Sequence, residues 1–330
     1  MVGSITLTLI QFVLALGLLL FAADRLVYGA SRIATYFGLS PLFVGLTIIA
    51  IGTSAPEIVI SITASMREAP ELGIGNAIGS NIANLSLVLG LCAMVQPIDV
   101  SKSLMKVELP ILLFISLTVS VLFLNRTFSA IDSLICLILF LTFLVYCFYQ
   151  AIKKNIIKKP HEIHYQQNTK PQNPPPISKK SLLIALFWTG FGLIILPLSS
   201  DSFVSSAQSI ATWFGLSDMV IGLTIVALGT SLPELATGLM SSLKKQSGLT
   251  LGNIIGSNIF NLTAVLAPIG FIHSISIPKM VIYRDLSTML LLTIVLIMCA
   301  LLSITKRYAK IYGAVLILFY IGYTGFLAGS

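Results

Sequence analysis

Charge is scarce in this chain: Asp, Glu, Lys and Arg make up 10% of its 330 residues, against 56% that are hydrophobic. Soluble domains carry roughly a quarter charged residues, so this composition excludes one. A mean hydropathy of +0.97 points to a polytopic membrane protein. Cysteine is also scarce. Cys92, Cys136, Cys147 and Cys299 all fall in apolar stretches with no CxxC, which speaks for small packing residues and against a disulfide or a thiolate metal cluster. Of the three histidines, His161 and His164 lie in a polar tract and His273 in a short loop, so no histidine metal centre is expected. HExxH, a GxSx motif with a partner base and a GxGD-type aspartate are all missing, which argues against an intramembrane hydrolase and for a protein that is not an enzyme. No Lys or Arg precedes the first apolar run, so that run is expected to stay as a helix and not to be cleaved as a signal peptide.

What the chain has in abundance is apolar runs long enough to cross roughly 30 Å of hydrocarbon. They lie at about 5–30, 40–65, 73–95, 104–124, 128–150, 181–210, 216–242, 250–272, 281–303 and 308–328, which predicts an all-α protein of ten transmembrane helices. The net charge of +8 follows the bilayer and is no sign of nucleic-acid binding. With both termini outside, fifteen basic residues fall in inward loops and only Arg67, Arg126, Lys279 and Arg284 in outward ones, while Arg25 sits near the inner end of the first helix. Between Lys153 and Lys180 runs the only sustained polar segment, with Pro174, Pro175 and Pro176, and it reads as a cytoplasmic linker. The expected organisation is residues 1–152, a linker over 153–180, and residues 181–330.

The two flanking halves repeat at a constant offset of 177 residues. Gly45-Leu-Thr-Ile-Ile-Ala-Ile-Gly-Thr-Ser-Ala-Pro-Glu57 returns as Gly222-Leu-Thr-Ile-Val-Ala-Leu-Gly-Thr-Ser-Leu-Pro-Glu234, with ten of thirteen positions identical. Gly75-Asn-Ala-Ile-Gly-Ser-Asn-Ile-Ala-Asn84 returns as Gly252-Asn-Ile-Ile-Gly-Ser-Asn-Ile-Phe-Asn261. Asp24 matches Asp201, Lys102 matches Lys279, and Asp285 stands where the first half has Glu108. A duplicated unit of five helices must enter the membrane from opposite sides, the inverted repeat of secondary transporters.

Glu57 and Glu234 lie inside apolar runs, where a charge at the bilayer centre costs at least roughly 2.5–3.5 kcal/mol. On a helix, Ala50, Thr53, Ser54 and Glu57 share one face, and Pro56 and Gly52 disturb the backbone and let a neighbouring chain approach. The second half repeats this with Ala227, Gly229, Thr230, Ser231, Pro233 and Glu234. Asn76, Ser80, Asn81 and Asn84, with counterparts Asn253, Ser257, Asn258 and Asn261, add uncharged oxygens. Gly75, Gly79, Gly252 and Gly256 are expected to let their helices pack closely. An all-oxygen set suits Ca2+ or Na+ better than zinc, copper or iron, and two Glu balance one Ca2+. Hydroxyls and amides of this kind also serve as interhelical glue, but a Glu beside Pro, duplicated with its neighbours, goes beyond glue. Asp24 and Asp201 are read as near helix ends, with capping or pairing to Arg25 competing with ion handling. Glu108, Asp132 and Asp285 are read at helix starts.

On these paired motifs the chain resembles the cation/Ca2+ exchanger superfamily, and within it the prokaryotic Na+/Ca2+ exchangers. The resemblance implies ten helices in inverted repeats, with helices 2, 3, 7 and 8 around the ions and long helices 1 and 6 sliding across them. It places the ion ligands at Ala50, Thr53, Ser54, Glu57, Ser80 and Asn84, and at Ala227, Thr230, Ser231, Glu234, Ser257 and Asn261. Many prokaryotic relatives carry Asp where this chain has Asn261; the K+-dependent branch also has Asp there, so Na+ coupling without K+ is implied. A H+/Ca2+ antiporter and a passive channel are the competing readings. The expected protein is a monomeric plasma-membrane antiporter of small cations with no cofactor.

Overall fold

The computed structural model describes residues 2–97, 100–101, 104–157, 178–214, 227–301 and 306–329. Among the described residues, eleven helices longer than one turn and one two-stranded ribbon follow in order: α1 (Val2–Phe37), α2 (Pro41–Thr53), α3 (Ala55–Met66), α4 (Pro70–Val95), α5 (Leu104–Phe123), β1 (Thr127–Phe128), α6 (Ala130–Ile157), α7 (Lys179–Trp213), α8 (Leu232–Leu243), α9 (Ser247–Ile272), β2 (Ile275–Ser276), α10 (Val281–Leu301) and α11 (Lys306–Gly329). Eight of these are each long and apolar enough to cross a bilayer, and α2 with α3, bent by 40°, makes a ninth crossing if the pair is one span. The seventh expected run, about 216–242, is described only from Ala227, as a turn over Ala227–Gly229 followed by α8. The linker's ends are helical, to Ile157 and from Lys179, and His161, His164 and the prolines lie outside the described residues.

Local chemistry sets the helix ends. Gly38, at φ 65°, takes the left-handed conformation that closes α1, with Leu39 N–H bonded to the Ala34 carbonyl at 2.8 Å. Ser40 then caps α2, accepting from Phe43 N–H at 3.1 Å, and Pro41 supplies a first residue that needs no donor. The turns after α3 and α8 are alike: Glu68 and Lys245, 177 residues apart, have φ of 59° and 57°. Asp132 accepts from Ser129 N–H and Oγ–H at 2.8 and 2.7 Å in the first turn of α6, the helix-start role expected of it.

The core centres on α4 and α9, the most buried helices, walled by α5, α6, α10 and α11. A second apolar cluster joins Leu19, Ala22, Leu26 and Ala30 of α1 to α2, α7 and α8. Phe21, Phe114, Val121, Ile138, Val145, Phe187, Leu291 and Leu318 are exposed on outer helix faces, where lipid is the matching solvent. Strands β1 and β2 pair antiparallel, Thr127 with Ser276 and Phe128 with Ile275, and Ile277 N–H adds a bond to the Arg126 carbonyl at 2.8 Å. This ribbon holds the turn after α5 to the turn after α9.

Candidate ion-binding site

The signature motifs form breaks between helices. Ser54, at φ −89° and ψ 5°, interrupts α2 and α3, and Ser231, at φ −88° and ψ 4°, precedes α8. Pro56 and Pro233 cause this, since neither has an N–H for the carbonyl four residues back. Ala50, Thr53, Ser54 and Glu57 therefore do not share one continuous helical face. The break instead places Glu57 and Glu234 in the first turns of α3 and α8, where the helix dipole favours a carboxylate. Both side chains are 0% exposed.

Hydrogen bonds across the halves bring the motifs together. Thr53 Oγ1 lies 3.3 Å from Ser257 Oγ and donates to Asn253 Oδ1 at 3.2 Å. Ser54 Oγ donates to Glu234 Oε1 at 3.3 Å, and Ser80 Oγ lies 3.4 Å from Thr230 Oγ1. Asn81 Nδ2 donates to the carbonyl of its own counterpart, Asn258, at 3.2 Å. Asn84 and Asn261, fully buried, each open a π-helical turn, Asn84–Val88 and Asn261–Val265. Such turns often mark functional sites, and no sequence signal pointed to them. Ala50 is buried at the end of the π turn Gly45–Ile49, and Ala227 opens the Ala227–Gly229 turn.

Several buried oxygens have no protein donor among the described residues: both oxygens of Glu57, Oε2 of Glu234, Ser231 Oγ, and the amide oxygens of Asn84 and Asn261. Glu57 also feels the charge of Glu234. Two buried carboxylates that repel one another, with three of their four oxygens lacking a donor among the described residues, need a bound cation or protons to balance their charge. Among the described residues no group of three or more His, Cys, Asp or Glu could hold a metal, so the charge resides in these two Glu.

Close helix packing fixes the spacing. A Cβ on Gly252 would lie 2.6 Å from the Leu42 carbonyl oxygen and 2.9 Å from Gly45 Cα, and one on Gly256 would lie 2.9 Å from the Leu46 carbonyl. Gly75 and Gly79 have nothing within 4 Å among the described residues; the repeat-related partners that would meet them, Met219, Gly222 and Leu223, lie outside those residues. At Gly52 the nearest atoms among the described residues belong to a side chain and not to a backbone: Leu193 of α7 fills the space. Asn253 is structurally more central than the sequence implied, since its Nδ2 also donates to Thr237 Oγ1 at 2.9 Å. Asp24 lies well inside α1, not at its end, and pairs with Arg25, as anticipated, and with Lys244 at 2.6 Å. Asp201 is exposed within α7. The four cysteines are free.

A family model described as sodium/calcium exchanger protein matches residues 7–151 and 184–329. The chain belongs to the sodium/calcium exchanger family. Among its relatives, the putative antiporter CaxA of Alkalimonas amylolytica is 40% identical, with 95% of this chain and 96% of that one aligned. The inner membrane protein YrbG of Escherichia coli is 37% identical over 86% of each, and the sodium/calcium exchanger MaX1 of Methanosarcina acetivorans 29% identical over 97% and 98%. A solved structure of the sodium-calcium exchanger NCX_Mj, soaked with zero Na+ and Ca2+, superposes with a TM-score of 0.78 at 33% identity, covering 96% of this chain and 97% of that one. As a member of the sodium/calcium exchanger family, this multi-pass membrane protein is a cation/Ca2+ antiporter.

Proposed function

We propose that this antiporter exchanges Na+ for Ca2+ by alternating access, electrogenically and without K+. One observation carries the reading: two fully buried carboxylates from repeat-related helix breaks, ringed by hydroxyl and amide oxygens and short of protein donors among the described residues. Ala50, Thr53, Ser54, Glu57, Ser80 and Asn84 with Ala227, Thr230, Ser231, Glu234, Ser257 and Asn261 are the proposed ligands. Glu57 and Glu234 neutralise one Ca2+ or two Na+. A third Na+ would then rest on neutral oxygens and leave the Na+-loaded carrier one charge more positive. The relatives named as sodium/calcium exchangers support Na+ as the coupling ion.

The architecture proposed is ten helices in two inverted repeats, residues 1–152 and 181–330, joined by a cytoplasmic linker over 153–180, in an inner-membrane monomer with both termini outside. The β1–β2 ribbon supports the count. It puts the turns after α5 and α9 on one face, so the chain between them crosses an even number of times. Helices α6, α7 and α9 supply three crossings, and the stretch ending in α8 supplies the fourth.

Coupling number sets what such a carrier can do. Three Na+ entering down a tenfold gradient release about 4.2 kcal/mol, and the net charge adds about 2.3 kcal/mol at 100 mV. Together these sustain a Ca2+ gradient above roughly ten-thousandfold, where two Na+ alone sustain about a hundredfold. In proteoliposomes, 45Ca uptake is expected under an outward Na+ gradient with no K+ present, and it should accelerate when valinomycin and K+, added separately, set an inside-positive potential. Voltage-independent uptake would mean two monovalent ions per Ca2+, and uptake driven by pH without Na+ would move the protein to proton coupling.

A further inference from the structure

The 177-residue repeat makes α1 equivalent to α7, α3 to α8, Asp24 to Asp201, and Lys244 to Arg67. The structure treats these equivalents differently. Helix α1 packs along α8, and the turn after α8 grips it: Lys244 Nζ bonds the Asp24 carboxylate at 2.6 Å and the Asp24 carbonyl at 2.8 Å, and Gln246 Nε2 donates to Ser31 Oγ at 2.9 Å. Helix α7 makes no comparable packing on α3 among the described residues. Asp201 and Arg67 are both exposed, and among the described residues neither forms an ion pair.

The helix breaks repeat the asymmetry. The nearest atoms to Gly52 and to Gly229 both come from α7, Leu193 over the first and Val204 over the second, and Ser200 Oγ donates to the Gly229 carbonyl at 2.9 Å. A duplicated chain whose halves are packed unequally has a second arrangement available, in which the equivalents exchange roles. Resting on the alternating-access reading, we propose that Asp24–Lys244 and Asp201–Arg67 are two mutually exclusive latches, the first closed in this conformer and the second in the opposite one. In the proposed orientation Lys244 lies at the cytoplasmic face and Arg67 at the outer face. The conformer described is thus held shut on the inside, and closing the Arg67 latch shuts the outside.

The chemistry suits a switch. Asp24 and Lys244 are 27% and 30% exposed, wet enough to separate without the cost of a fully buried pair. Arg25 stays beside Asp24 whether or not Lys244 leaves, so Asp24 is not stranded when the latch opens.

Cross-linking in a cysteine-free background, with a protease site in the linker, tests this. The pairs Asp24→Cys/Lys244→Cys and Asp201→Cys/Arg67→Cys, joined by a reducible thiol cross-linker as long as a Lys–Asp or Arg–Asp ion pair, are each expected to hold the cleaved halves together. Each bridge should cut Na+-dependent 45Ca flux at least tenfold, with recovery on reduction. In the four-cysteine variant, pre-forming either bridge should block the other. Asp24→Asn or Lys244→Gln, made in the Asp201/Arg67 cysteine pair, should raise that pair's yield by about three- to tenfold, and the swap Asp24→Lys with Lys244→Asp should return it to the starting yield. The latch is overturned if the Asp201/Arg67 pair fails to bridge in protein that transports normally, if both bridges form in one molecule, or if neutralising Asp24 leaves the yield unchanged. Absence of Na+-dependent Ca2+ flux in the wild-type protein would instead refute Na+ coupling, while the bridging yields still decide the latch.

Discussion

Glu57→Gln and Glu234→Gln are each expected to reduce Ca2+ transport at least a hundredfold while leaving the protein folded. Breaking a buried charge pair by neutralising one partner costs about 3–5 kcal/mol, and about 1.4 kcal/mol is tenfold in affinity. Here the partner is the ion, so the loss falls on binding. Folding is spared because neither oxygen of Glu57 has a donor to lose among the described residues, and the Glu234 oxygen that accepts from Ser54 has a carbonyl equivalent in Gln. Without ions the variants should melt no lower than the parent, because a repulsive buried charge has gone. Ca2+ flux in proteoliposomes and thermal unfolding in detergent check the two halves of this expectation. Wild-type flux in either variant would sink the charge balance.

Gly252→Ala is expected to lower both stability and transport, the latter at least tenfold. The added methyl carbon meets the Leu42 carbonyl at 2.6 Å and Gly45 Cα at 2.9 Å, and both are backbone, so α2 and α9 must move apart. Overpacking of this kind costs typically about 1–3 kcal/mol. The bonds from Thr53 to Asn253 and Ser257, already 3.2 and 3.3 Å long, cannot survive a separation of several tenths of an ångström. Gly325→Ala on the exposed face of α11, where nothing among the described residues lies within 4 Å, is the control and should leave transport unchanged. Equal flux from Gly252→Ala and the control would mean that the α2–α9 contact does not set the site.

Why so much of this was legible in the sequence is itself physical. A bilayer admits few solutions, so apolar length announces the spans, and a duplicated Glu-Pro motif in apolar runs announces two buried carboxylates at matching helix breaks. What was hidden depends on contacts between distant segments. The π turns at Asn84 and Asn261 have no composition of their own. Gly52 and Gly252 both read as glycines that admit a close neighbour, yet one faces a Leu193 side chain and the other a backbone. Asp24 read as an end-of-helix residue because its partner, Lys244, lies 220 residues away. Asn253 was seen as one more amide because only the fold puts it between Thr53 and Thr237.

Equilibrium binding of 45Ca to purified protein in nanodiscs tests most directly whether the two buried carboxylates form one shared cation site. A single Ca2+ is expected to bind per chain, displaced cooperatively by Na+ and not by K+, with binding lost in Glu57→Gln and in Glu234→Gln alike. Undiminished Ca2+ binding in the double variant, or Ca2+ binding indifferent to Na+, would contradict it.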